Sequence, residues 1–231
     1  MLPWRLCYWT SNKKFIMSCK NIIYKIIYKL TMFKIMNQNT MFYIVVIFVL
    51  VVCVKVYLES ESYNLKCIVS TVDGHKYCVR EREKMKPAAN LLAEVTQKCK
   101  ELVKYVGKKY PNDDACQRLV TGFNPKKISE TLPTSELTAY SENKGEKIAF
   151  CLNKKKDGTK LIDINTLTFV AIHELSHIMT KSVGHKQEFW QNFKFLLENA
   201  KAANIYAPVD YKKEPEEYCG MTISDSPYYD L

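Results

Sequence analysis

The chain has 231 residues, a length that suits one domain plus an appendage, and carries 34 basic against 24 acidic side chains, a formal charge of +10. Residues 1–58 hold eight of the basic side chains and no acidic one, which leaves the remainder near neutral, with 26 basic and 24 acidic. The excess charge therefore belongs to the N-terminal end, and no nucleic-acid partner is expected for the rest.

Residues 1–40 form a basic segment. Between Phe15 and Met36, lysines at 20, 25, 29 and 34 are interleaved with Ile22, Ile23, Ile26, Ile27 and Leu30. That is the pattern of a basic amphipathic helix lying on a membrane. A start of translation at Met36 or Met41 is an equal reading of the same residues. Residues 41–58 then read as a transmembrane anchor, with Met41–Val54 uninterruptedly apolar and Lys55 able to snorkel. A cleaved signal peptide is the rival, but Glu59-Ser60-Glu61-Ser62 follows instead of a small-residue cleavage site. Basic residues before the span and acids after it predict a cytosolic N-terminus and a folded domain on the far side, luminal, extracellular or at a virion membrane.

Residues 59–66 are a linker and residues 67–231 the domain. Cys67–Val72 and His75–Arg80 flank Asp73-Gly74, a tight-turn signal, and predict a hairpin with His75 as a solvated turn residue. Pro87 opens a helix whose Ala88, Leu91, Leu92, Val95, Cys99, Leu102, Val103 and Val106 make a core stripe, ended by Gly107 and Pro111. A shorter helix is expected from Asp113 to Thr121. Residues 124–146 read as one long Ser/Thr/Glu-rich connection, and Lys147–Leu152 as a strand.

The chemistry concentrates in His173-Glu174-Leu175-Ser176-His177, with His185 eight residues on; three of the four histidines lie here. On a helix His173 and His177 share a face, so both can reach one metal ion, while Glu174 points to the neighbouring side and can hold a metal-bound water. Two ligands, a general base and an open coordination position are the requirements of a zinc hydrolase. The apolar run Leu167–Ile172 predicts a buried helix, with Asn165 as its N-cap and Gly184 as its stop. His185 would be the third zinc ligand, with Glu188 as the alternative. Phe189, Phe193, Leu196, Leu197, Ala200 and Ala203 predict a supporting helix, with structural roles for Phe189 and Trp190. In the tail, Tyr211 and Tyr218 could line the cleft, and one of them could stabilise an oxyanion.

His173–Met179 together with Gly184-His185-Lys186-Gln187-Glu188-Phe189-Trp190 resembles the WLM-type zinc metallopeptidases, which share a HELxH helix and a later GHxxxFW-like segment. Thr138–Lys147 and Tyr218–Met221 bring the likeness closer to the WLM-like members encoded by nucleocytoplasmic large DNA viruses and some protists. The seven-residue gap between His177 and His185 departs from the five of many relatives. The resemblance implies an α+β fold: a small zincin-like domain with a few-stranded sheet, an edge strand, the HExxH helix and a following support helix, behind the transmembrane helix. It also implies Zn2+, a peptide or protein substrate, and a substrate rail at residues 146–152 on the strand before the metal helix.

Six cysteines fall in the domain: Cys67, Cys78, Cys99, Cys116, Cys151 and Cys219. Beyond a membrane crossing an even number suggests disulfides, and the hairpin favours Cys67–Cys78. The reading is a membrane-anchored zinc metallopeptidase with Glu174 as general base and His173, His177 and His185 on the metal. Its rivals are a non-enzymatic, disulfide-braced membrane or virion protein with structural zinc, and a WLM-type protease acting on DNA-bound proteins.

Overall fold

The computed structural model describes residues 38–62, 65–156 and 158–230. The expectation of an amphipathic helix from Phe15 to Met36 lies outside these residues. Two compact units divide between Tyr63 and Asn64.

In the first unit α1 spans Gln38–Ser62. Its Asn39–Val56 stretch has a mean hydropathy of 2.4, and the side chains from Phe42 to Val56 are exposed. Twenty-five helical residues reach about 37 Å at 1.5 Å each, enough to cross a hydrocarbon layer of about 30 Å. Length and composition alone also admit a signal sequence.

The second unit is α+β. A five-stranded sheet has the order β1-β2-β3-β5-β4, from Leu65–Val69, Lys76–Arg80, Ile128–Glu130, Lys147–Phe150 and Ala139–Glu142 respectively. β2, β3 and β5 run parallel, and β1 and β4 add antiparallel to the two sides. Its helices are α2 (Met85–Lys109), α3 (Asp114–Gly122), α4 (Ile164–Met179) and α5 (Gln187–Ala202). A small hairpin, β6 (Glu216–Tyr218) and β7 (Met221–Ile223), follows. α4 is the hub: it packs on α2, α3, α5 and β4. Every residue expected in the α2 stripe is buried.

Three expectations need correction. The first hairpin has a six-residue connection, Ser70 to His75, closed by Ser70 N–H donating to His75 O, because Asp73 turns inward to accept from His75 N–H and the Tyr77 hydroxyl. The stretch 124–146 is not one connection, since it contains β3 and β4. β3 escapes a periodicity reading because it is three residues long and ends on an acid; Glu130 is 1% exposed and is held by Arg82 Nη1 at 2.8 Å and Arg80 N–H at 2.8 Å, partners 48 and 50 positions away. Finally, β5 is not an edge strand. β4 pairs along its outer side from Ala139↔Phe150 to Glu142↔Lys147, so the edge expected at 146–152 is already filled by the chain itself, and the edge strand on that side of the sheet is β4.

Two disulfides form: Cys67–Cys78, the pair the hairpin favoured, directly across its strands, and Cys151–Cys219, a pairing the sequence left open, which ties the end of β5 to the β6–β7 turn. Cys99 and Cys116 stay free and buried in the helical core.

Candidate metal centre

α4 starts at an N-cap two residues earlier than expected. The Asp163 carboxylate accepts from Thr166 N–H, while Asn165 bonds both backbone groups of Ala207. The helix stops at Met179, five residues before Gly184, and the Thr180 N–H closes the last turn on Ser176 O. Gly184 takes the left-handed conformation (φ 82°) in the following loop and turns the chain toward His185.

His173 and His177 lie one helical turn apart, their ring centroids separated by 5.0 Å; the His185 ring is 4.9 Å from each. One ligand nitrogen from each ring falls within 4.8 Å of the other two, and His173 Nε2 and His185 Nε2 are 3.1 Å apart. Phe189, fully buried, backs all three rings at 4.4–4.8 Å, and Phe193 and Trp190 extend that aromatic floor. Their structural role is as expected. Glu188 is elsewhere: its carboxylate accepts from Lys181 N–H, Ser182 N–H and the Ser182 hydroxyl. The chain thus brings His185, not Glu188, to the helical pair. His75 sits exposed at the hairpin, hydrogen-bonded to the Asp73 carbonyl.

Burial sets the protonation of the cluster. It holds His173 well below the usual 6.5, helped by the neighbouring imidazoles, and carries His177 down to about 3; His185 is lowered for the same reason. All three are neutral at pH 7 with lone pairs available. Glu174 is completely buried, and burial pushes its carboxyl up to about 8. Eight buried side-chain polar atoms lack a hydrogen-bond partner among the described residues, and three of them are here: both Glu174 oxygens and His177 Nε2. Buried polar groups are normally satisfied, so this concentration marks a place built for something bound. Three convergent neutral imidazoles beside a buried carboxylate fit a zinc ion and its water.

Two surroundings carried no sequence pattern. A cavity of about 240 Å³ is walled by Phe169 and His173 of α4, Trp190 and Phe193 of α5, and the C-terminal Asp225–Pro227 and Asp230. Lys212 Nζ lies 3.1 Å from both Asp225 and Asp230, which pairs their charges. On another side, Tyr218 bounds a small void with His173 and Glu174 but donates its hydroxyl to Thr138 O at 3.1 Å; Tyr211 packs on Phe169 at 4.9 Å. The Tyr218 hydroxyl, considered for an oxyanion, is thus spent on the fold.

Residues 119–227, which contain this whole centre, match the WLM domain family. Uncharacterized protein R325 of Acanthamoeba polyphaga mimivirus is 29% identical over 171 residues, which cover 72% of this chain and 85% of that protein. Uncharacterized protein 136R of Invertebrate iridescent virus 6 is 34% identical over 35% of the chain and 44% of its own length. Uncharacterized protein 042R of Invertebrate iridescent virus 3 is 32% identical over 43% and 57%. Among solved structures, Wss1 from Saccharomyces cerevisiae aligns over 53% of this chain and 84% of its own with 19% identity and a TM-score of 0.41, a likeness too distant to bear on fold or function. The resemblance carried by the HELSH helix and the Gly184–Trp190 segment is thereby met by the family and relative matches: the chain is WLM-like and similar to proteins of large DNA viruses.

Proposed function

We propose that this chain is a membrane-anchored zinc metallopeptidase. The observation that carries the reading is the placement of three neutral imidazole donors within 4.8 Å of one another beside Glu174, whose two buried oxygens have no partner among the described residues. Zinc held by His173, His177 and His185 would supply a Lewis acid that polarises a peptide carbonyl and makes water acidic near pH 7. Glu174 is the proton carrier. With its charge compensated at an occupied site, Glu174 would work as a carboxylate, taking the proton of the attacking water and delivering it to the departing amine. The aromatic floor of Phe189 and Phe193 keeps the imidazoles in place and excludes solvent behind them.

The cavity against His173 is larger than a 150 Å³ cavity that accepts benzene, and its two acids are already paired with Lys212. It suits an uncharged aromatic or large aliphatic side chain of the substrate. α1 serves as the anchor, with the basic excess on its N-terminal side and Glu59 and Glu61 after its apolar stretch. Two disulfides in the folded unit suit an oxidising compartment beyond that membrane.

The rival of a structural zinc site is weakened by the absence, among the described residues, of a fourth His, Cys, Asp or Glu ligand in the cluster. A DNA-directed protease is weakened by the near-neutral charge of the domain. The deciding experiment compares new protein termini in cells expressing wild type and Glu174→Gln, alongside the zinc content of both purified chains. Termini that depend on Glu174, with equal zinc, support the peptidase; zinc without any cleavage supports the scaffold.

A further inference from the structure

His173 and His177 are placed by their helix, whereas His185 hangs on the connection Thr180–Lys186. Side chains from other elements take up the backbone of its first half. Lys144, at the tip of the β4–β5 hairpin, donates from Nζ to three carbonyls: His177 O at 3.1 Å, Thr180 O at 2.6 Å and Ser182 O at 3.0 Å. Two of these are at the C-terminus of α4, where the helix dipole favours a cation. Glu188 takes the Lys181 and Ser182 N–H groups, Asn192 bonds the Thr180 hydroxyl, and Arg118 bonds Met179 O. Lys144 is an exposed residue, yet its backbone is not free to wander. Asn143, Lys144 and Gly145 all have positive φ (46°, 56° and 101°), a conformation that costs energy for the two non-glycine residues. A Cβ on Gly145 would collide with the Gly122 carbonyl and with Ile178 of α4, so the hairpin tip is seated hard against α3 and the metal helix.

We propose that Lys144 is a positioning residue for the third metal-binding histidine: from the hairpin tip it fixes the Thr180–Ser182 backbone and thereby the placement of the His185 imidazole. This inference rests on the metal-site reading above. It also assigns a task to the Thr138–Lys147 segment and explains how a seven-residue gap between ligands is kept from slackening.

The sign of the effect separates positioning from simple electrostatics. A nearby ammonium repels a metal cation, so removing it should tighten binding if charge alone mattered. If Lys144 positions His185, Lys144→Met weakens binding instead. The measurement is zinc affinity of the full chain in detergent, by competition with a chromophoric chelator, with cobalt(II) absorption as a second readout. Lys144→Met is expected to lose about 10- to 100-fold in zinc affinity, the range for residues that orient metal ligands, and its cobalt spectrum should move toward that of His185→Ala. In the His185→Ala background the same substitution should add no further loss. Tighter or unchanged binding, or an equal loss in both backgrounds, overturns the proposal. So does a metal-free melting temperature that falls as steeply as the affinity, which would make Lys144 merely structural. A wild-type chain that binds no zinc overturns the metal-site reading and this inference together; zinc binding indifferent to Lys144→Met overturns this inference alone.

Discussion

α1 and α4 are the two most apolar helices among the described residues, yet they meet opposite environments. The apolar side chains of α1 from Phe42 to Val56 are exposed. Thirteen of the sixteen residues of α4 are buried, in contact with three other helices and β4. The polar content explains the difference. Between Met41 and Val54 α1 offers nothing that could serve a protein core specifically, and its uniform apolar surface suits a lipid phase. α4 interrupts its apolar surface with Thr168, His173, Glu174, Ser176 and His177. The hydroxyls of Thr168 and Ser176 are satisfied locally, on Ile164 O and Ile172 O. Glu174 and His177 Nε2 are not, and in a helix so thoroughly buried an unsatisfied group costs stability. α1 is apolar all along its exposed stretch, and α4 is apolar around a site.

The sharpest way to break that contrast is at Glu174. Glu174→Gln keeps size and cannot accept a proton, so peptide cleavage should fall by at least about a hundredfold while zinc content stays at the wild-type level. Loss of zinc equal to that of His173→Ala would make Glu174 a ligand. Next in size is packing. Leu175→Ala, at a position with no exposure, should destabilise the folded unit by about 2–5 kcal/mol in a denaturant titration. Leu50→Ala, 57% exposed on α1, should leave the same transition within about 0.5 kcal/mol. A large effect at Leu50 would mean that α1 is part of the folded core.

A smaller effect is the pH dependence of the metal-free chain. Glu174 has a folded pKa raised from 4.5 to about 8, so its favourable contribution is complete below about pH 4.5 and is lost as pH rises toward 8. His177 is depressed from 6.5 to about 3, so the stability tied to its neutral form is present above about pH 6.5 and is lost as pH falls toward 3. Thermal melts of metal-free Glu174→Gln should therefore gain on wild type between pH 5 and 8, and a difference independent of pH would contradict the buried, unpaired carboxyl. For α1 the test is extraction: the wild-type chain should stay with membranes in alkaline carbonate, and deletion of residues 39–56 should release it. Release of the intact chain would count against the anchor.

The parts legible in the sequence were those whose cause is local. A 3.6-residue spacing places His173 and His177 on one face, the α2 stripe announces its own burial, and the Asp73-Gly74 signal announces a hairpin that brings Cys67 near Cys78; their direct pairing comes from the six-residue connection, since a two-residue turn would set Cys67 against Arg80. What was illegible depended on partners far along the chain. β3 looks like loop because Glu130 is polar until Arg80 and Arg82 are beside it. β5 looks like an edge until the Asn143–Gly145 turn folds β4 onto it. Asn165 is as good an N-cap as Asp163 until Ala207 claims its side chain.

The site divides along the same line. Sequence by itself determined the donor types, the two helical histidines and the carboxylate between them, because an i, i+4 relation is a property of one helix. The sequence favoured His185 over Glu188 for the third place, and tertiary structure brings His185 to the pair while turning Glu188 onto the Lys181–Ser182 backbone; tertiary structure alone decided that a cavity opens against His173 and that Lys144 from a distant hairpin grips the loop between His177 and His185. Each of these depends on the path of a connection without periodicity, and such a path is set by hydrogen bonds to side chains that only the folded chain brings near.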